Sequence, residues 1–452
     1  MIELLRGAAA EEPGRVAVLT HTDQTSYAAL VDRAERVAAA LRRSAIDRFA
    51  LLETDAATVI AVLAGAALAG AEPCQYPPNA TPDEVADLAA RFDHDLLLTD
   101  RDDLAVPGLA VRRPADLDAD PTPDGVPAGR PLLVLTTGTT GKPRGVRHDW
   151  SRLLSSTDRI RQGAGQRWLL AYGLHQFAGL QILVHVLAAG ATLVAPAPRR
   201  PREGLVAMRE LGVTHASATP TYWRFLLAEM RADAGPVPAL HHITLGGEAA
   251  PGPLLAELGR LFPGVPLSHV YAASEFGSTG SERDGLPGLS VRVLERGEDA
   301  AVRLRVVDGE LWVRSISGML GYYGEPPVDA DGWRPTGDLV EVVGDRILFR
   351  GRSSEVVNVG GVKVHPLPIE ERVSAVPGVA VARVFGRPNA VTGAIVAVEV
   401  VPDGSVDEAA LDAAVRAACE DLPAAARPRS VRIVAELAMA GDKIVRSRPD
   451  ES

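Results

Sequence analysis

The stretch VLTTGTTGKPRGV, residues 134–146, decides how the rest of the chain is read. An apolar run, Leu132–Leu135, leads into it, so a buried strand feeds a loop of glycine, threonine and basic residues. Such a loop can wrap phosphate oxygens with backbone N–H groups and hydroxyls. It does not fit the P-loop pattern G-x-x-x-x-G-K-[ST], because Thr136 stands five before Gly141 and Pro143 follows Lys142. The stretch therefore points to a phosphate-bearing ligand held by something other than a P-loop NTPase.

Lysine usage sharpens this. Of 47 basic residues only three are lysines, Lys142, Lys363 and Lys443. Lysine is a mobile point charge where arginine is a planar fork, so a chain that writes arginine almost everywhere draws attention to those three positions. The net charge of −11 argues against a nucleic-acid partner. At 452 residues the chain exceeds one ordinary core, and two or more domains are expected. Cys74 and Cys419 are far apart and lack metal-ligand spacing, which predicts buried thiols in a reducing compartment. The first twenty residues show no basic segment followed by an apolar one, so no signal peptide is read and the cytoplasm is expected. The longest apolar stretch, residues 56–71, is too short to span a bilayer and predicts a buried helix, with no membrane partner.

Along the chain, TSYAALVDRAERVAAALRR has helical spacing, while FALLET and DLLLTD read as short buried strands. ATLVAPA, HHITLGGE and PLSHVYAASE are strands ending in small residues, separated by helical stretches such as YWRFLLAEM. This βα alternation predicts a largely parallel sheet with ligands at the carboxyl ends of its strands. From Leu289 to Phe349 the pattern changes to the alternating strands of an antiparallel sheet or barrel. RGRSSEVVNVGG reads as a polar, glycine-rich hinge, followed by about a hundred residues of α+β pattern. The expected fold is α/β: a large N-terminal domain of parallel βα layers with an antiparallel β subdomain (1–351), then a small mobile α+β domain (352–452).

Six segments, in order, resemble the adenylate-forming superfamily of acyl-CoA synthetases, adenylation domains of peptide synthetases and firefly luciferases. Thr136–Gly145 is similar to its pyrophosphate loop T-[ST]-G-T-T-G-x-P-K-G, with Arg144 in place of lysine. GGEAAP (246–251) resembles the adenine-side segment, and YAASE (271–275) resembles Y-G-x-[TS]-E with Ala272 for glycine. TGDL (336–339) matches the ribose motif. GRSSEVVNVGGVKVHPLPIEE (351–371) resembles the hinge motif, and AGDKIVR (440–446) the C-terminal lysine element. The three lysines fall in three of these segments.

The resemblance implies that a carboxylate attacks the α-phosphate of ATP, giving an acyl-adenylate and pyrophosphate, after which the acyl group passes to a thiol. Two anions must meet, so aligned donors and positive charge are needed. By resemblance Thr136, Thr137, Gly138, Thr139, Thr140, Gly141 and Lys142 hold phosphates, and Gly246, Gly247, Glu248, Tyr271 and Ser274 lie around the adenine. Asp338 accepts the ribose hydroxyls, Arg352 sits at the ribose and domain junction, and Glu275 holds Mg²⁺. Lys443, Glu275 and His175, the last at the mouth of the acid pocket, are the expected catalytic positions. In the superfamily the small domain rotates between the two half-reactions, and the lysine serves the first. Ser354 replaces the usual Asp or Lys of the hinge. LHQFAGL offers Phe177 or Ala178 where amino-acid-activating members carry Asp, which favours a carboxylic acid without an α-amino group, aryl or medium acyl. ATP and Mg²⁺ are the expected cofactors and coenzyme A the expected acceptor, with a carrier-protein thiol or an amine, including N–N bond formation, as the alternative. A degenerate adenylate-binding protein without activity is the rival from another class. Retention of Glu275, Asp338, Arg352 and Lys443 speaks against it.

Overall fold

In the computed structural model the chain builds two parallel-cored sheets, one antiparallel sheet and a C-terminal sheet. The structure describes residues 1–121, 127, 129–136, 143–155, 157–233, 235–329, 332–440, 443 and 444.

The eight-stranded sheet runs Leu267–Ala273, His242–Gly246, His215–Ala218, Arg167–Leu170, Thr192–Val194 and Val16–Leu19 in parallel. Antiparallel edges, Gly277–Glu282 and Gln24–Ser26, close its two sides. The seven-stranded sheet holds Pro131–Thr136, Glu72–Gln75, Arg48–Leu51, Leu96–Leu98 and Ala110–Arg112 in parallel. Arg144–Asp149 pairs back antiparallel to Pro131–Thr136. These are the βα layers expected from the alternation of strand and helix signals, and strands buried on both faces read as continuous apolar runs.

Between the layers lie the helices Tyr27–Arg43 and Ala56–Ala69. The second is apolar on every side, and all but its last residue are buried. Asp55 caps it through Thr58, whose backbone N–H donates to the Asp55 carboxylate at 2.7 Å. A Cβ on Gly65 would stand 2.6 Å from Val37 Cγ1 and 2.7 Å from the Ala34 carbonyl, so only glycine permits this helix approach.

The change of pattern after Leu289 marks a five-stranded antiparallel sheet in which Arg334–Val343 pairs with both Glu310–Ser315 and Arg346–Arg352. The last hundred residues form an α+β unit. Gly393–Pro402 pairs with Val379–Asn389 and Ser430–Ile433, and helices Pro366–Ser374 and Glu408–Ala418 cover the core of Val384, Val398 and Leu411. The segment read as a polar hinge is more ordered than its composition suggests. Ser353–Glu355 is one 3₁₀ turn, and Val357–Val359 with Val362–Val364 forms a hairpin at the sheet edge. Val357, Val359 and Val364 pack on the core while Val362 faces solvent, a signal too short to outweigh the surrounding glycines and polar residues. Cys74 and Cys419 are both buried free thiols. No helix among the described residues is long and apolar enough to cross a membrane.

Candidate active site

The parallel strand Leu267–Ala273 ends beside the antiparallel sheet, and this junction assembles residues far apart in sequence. Asp338 and Arg352 are directly opposed on neighbouring strands, so their side chains share a face. Arg352 Nε donates to Asp338 Oδ1 at 3.0 Å. The other carboxylate oxygen, Oδ2, accepts the Tyr271 hydroxyl at 2.6 Å. A carboxylate offers about four acceptor sites, so two are occupied and two stay available on a side chain with only 15 % of its surface exposed.

Local geometry holds this trio. Gly337 adopts φ +77°, a left-handed conformation that favours glycine, and its N–H donates to Glu310 at 2.8 Å. Thr336 Oγ1 donates to the Leu311 carbonyl and accepts from Asp338 N. The Tyr271 ring makes tilted contacts with Phe276 and Phe349, centroids at 5.3 and 4.9 Å. Burial, then the Asp338 charge, pushes the Tyr271 phenol well above its ordinary value, so it stays a hydrogen-bond donor. The Asp338 charge likewise raises Arg352. Sequence reading gave Tyr271 a ring face for adenine. Its hydroxyl as an orienting donor to Asp338 emerges only from the fold.

Glu275 follows the same strand. Its Oε1 accepts the Tyr322 hydroxyl at 3.1 Å. The Arg144 guanidinium lies 3.3 Å from the Tyr322 ring centroid and pairs with Glu325 at 2.5 Å. Arg144 is thus joined to Glu275 through an aromatic ring, by a cation–π contact that sequence reading did not foresee. Burial, then Glu275, pushes the Tyr322 phenol up to about 12. Both terminal nitrogens of Arg334, within electrostatic reach of Glu275, are buried with no hydrogen-bond partner among the described residues. No group of three or more His, Cys, Asp or Glu among the described residues could hold a metal. Glu275 as a lone carboxylate suits Mg²⁺, which keeps waters and takes substrate phosphate oxygens as its remaining ligands.

A cavity of about 1170 Å³ opens between the carboxyl ends of the two parallel-cored sheets. Thr136, Ser274, His175, Phe177, Ala178 and Gly247 are among the residues that line it. Gly247 sits at φ +84° just past the strand His242–Gly246, and the Tyr172 hydroxyl donates to the Gly246 carbonyl at 3.2 Å. Burial, assisted by the Arg199 charge, lowers His175 to about 4, so it faces the cavity as a neutral imidazole. Glu248 caps a neighbouring helix instead of lining the cavity: its Oε2 accepts the Thr221 backbone N–H at 3.0 Å and the Thr221 hydroxyl at 2.7 Å.

The structure therefore brings Tyr271, Glu275, Asp338 and Arg352 to one junction, with Thr136, Ser274, Gly247 and His175 on the adjoining cavity. Thr137, Gly138, Thr139, Thr140, Gly141 and Lys142 lie outside the described residues. Lys443 lies in the strand Lys443–Ile444, paired with Met439–Ala440; its side chain is outside what is described. Tyr322, Arg334 and Arg144 as a ring-stacked cation were not singled out from sequence in these roles. Tyr322 is 47 residues from Glu275, and nothing local signals that pairing.

The chain is 28% identical over 441 residues to the indoleacetate–CoA ligase of Aromatoleum aromaticum, covering 86% of each chain. It is 28% identical over 368 residues to a fatty acid–[acyl-carrier-protein] ligase of Mycobacterium marinum, covering 71% of this chain and 68% of that one. Its fold superposes with a TM-score of 0.84 on an anthranilate CoA ligase in complex with anthranoyl-AMP, at 20% identity over 98% of this chain and 95% of the other. Residues 368–441 match the AMP-binding enzyme C-terminal domain. Residues 5–323 match the AMP-binding enzyme family, and the chain belongs to that family.

Proposed function

We propose that this enzyme activates a carboxylic acid with ATP and passes the acyl group to a thiol, with coenzyme A as the acceptor. The observation that carries the reading is Asp338, oriented by Tyr271 and Arg352 with two acceptor sites left for a vicinal diol such as ribose. In the first step an acid oxygen bonds to the α-phosphorus while the bond to the β-phosphate bridging oxygen breaks, and pyrophosphate leaves. Glu275 would hold Mg²⁺, which would supply charge neutralisation at the phosphates, and Tyr322 keeps the carboxylate oriented. Lys443, on a C-terminal unit that begins at residue 352, brings a cation to the two anions when that unit closes. In the second step the thiol sulfur bonds to the acyl carbon, AMP departs, and the thiol proton passes to solvent.

Phe177 and Ala178 on the cavity wall stand in the slot where amino-acid-activating members of the superfamily carry Asp, which supports an acid without an α-amino group, aryl or medium acyl. His175, held neutral, serves the acid as a hydrogen-bonding and packing group. The relatives include a CoA ligase and a carrier-protein ligase, so a carrier-protein thiol is the second acceptor to test. The buried free thiols fit a reducing, cytoplasmic setting. ATP–pyrophosphate exchange over a panel of acids, followed by thioester assay with coenzyme A or a carrier protein, tests the proposal. Exchange with an aryl or acyl acid and a CoA thioester are expected. Exchange without a thioester at any CoA concentration would move the acceptor to a carrier protein or an amine.

A further inference from the structure

The helix Pro220–Ala232 starts at the cavity, where Thr219 caps it by accepting the Tyr222 N–H at 3.0 Å and Glu248 grips Thr221. Tyr222, Trp223, Leu226 and Leu227 bury one side of it in the large domain. Arg224 and Phe225 point elsewhere, to the C-terminal domain. Arg224 Nη1 donates to Ser374 Oγ at 3.0 Å. Phe225 packs against Val381, Leu437 and Ile444, a buried cluster otherwise made of C-terminal residues. On the same C-terminal helix as Ser374, Glu371 is largely buried within reach of both Arg350 and Arg224; burial raises its carboxyl and the two guanidiniums oppose this.

We propose that Arg224 and Phe225 form a latch that holds the C-terminal domain in the arrangement serving adenylation. This rests on the functional reading above. Ile444 follows Lys443 in a two-residue strand, so seating Ile444 beside Phe225 fixes the backbone that carries the lysine. It does so against a helix whose other end borders the cavity. The contacts named are of a kind that can break in each turnover: an aromatic anchor, a guanidinium-to-hydroxyl hydrogen bond and a carboxylate between two guanidiniums. Interfaces of that kind between domains permit relative motion. Arg224 and Phe225 act through the placement of another residue and are positioning residues.

The test compares Phe225→Ala, Phe225→Leu and Arg224→Ala in the full chain. Phe225→Ala is expected to slow ATP–pyrophosphate exchange by about 10-fold or more, with Phe225→Leu restoring most of it, as for a gating contact. Acyl transfer from presynthesised acyl-adenylate to the thiol is expected to stay within about 2-fold of the parent, because that half-reaction does not use the latched arrangement. Tryptic cleavage within residues 352–363, which begin at Arg352 and end at Lys363, is expected to accelerate by about 5-fold as the docked population falls. Equal losses in both half-reactions, or no loss in either, would overturn the proposal. If the parent chain adenylates no acid, the functional reading fails separately, and the cleavage rate alone decides the latch: unchanged cleavage in Phe225→Ala and Arg224→Ala refutes it.

Discussion

The two sides of the active site are built differently. On the nucleotide side, Tyr271, Asp338 and Arg352 make a closed set of short charge-assisted bonds, and Glu275 is held by Tyr322. On the acid side, Phe177, Ala178, Gly247 and a neutral His175 border about 1170 Å³ of space, with Asp23, Asp55 and Arg199 also on its wall. The first arrangement fixes the direction of each acceptor, as a ligand with defined hydroxyls and phosphates requires. The second fixes little beyond shape. Substitutions should therefore cost far more on the nucleotide side, and the acid side should change which acid is used before it changes whether any is used.

The largest effect is expected at Lys443, whose proposed role is to supply charge only while the two anions meet. Lys443→Ala should lower adenylation by about 10³-fold, the scale of losing one preorganised charge from a transition state. Transfer from presynthesised acyl-adenylate should persist. Measuring the half-reactions separately decides this, and equal loss in both would assign the lysine to folding or docking instead.

Asp338→Ala comes next. Each charge-assisted hydrogen bond lost to the ribose is worth about 1.5–3 kcal/mol, so ATP affinity should fall by at least about 10-fold per bond at 1.4 kcal/mol per decade. ATP titration by calorimetry reads this directly, and unchanged affinity would remove the ribose assignment. A smaller change is expected from Tyr322→Phe, which keeps the ring over which Arg144 lies but deletes the donor to Glu275. A net loss of about 0.5–1.5 kcal/mol should raise the Mg²⁺ concentration needed for half-maximal ATP binding by several-fold. An unmoved Mg²⁺ requirement would mean that Tyr322 does not orient Glu275.

The smallest effect belongs to His175. Lowered to about 4, it carries no charge between pH 5.5 and 8, so His175→Gln should leave the pH–rate profile unchanged over that range and act mainly on the KM of the acid. A limb of the profile near pH 6.5 that vanishes in the variant would contradict this. Stability has the opposite visibility. His94, His148 and His175 are each held at about 4 by burial first of all, against an unfolded value near 6.5. Between those values the unfolded chain binds more protons, so stability rises with pH there. The melting temperature should accordingly drop as pH falls from 6.5 toward 4, and a flat profile would show that these imidazoles gain partners on protonation.

Much of this protein was legible in its residues. The βα alternation, the switch to antiparallel strands after Leu289 and the α+β character of the last hundred residues follow from periodicity and turn residues, which act over a few positions. Glu275, Asp338 and Arg352 stood out in the sequence through the motifs that hold them, and the structure brings them to one junction. What only the tertiary structure decided is how those residues are held. Tyr271 binds Asp338 across 67 residues, Tyr322 binds Glu275 across 47, and Glu248 turns away to cap a helix 27 residues upstream. Such pairings depend on which strands lie side by side, and sheet order carries no short-range signal. The acid pocket is the extreme case: its walls come from the ends of two separate sheets, so its shape exists only when both are folded and packed.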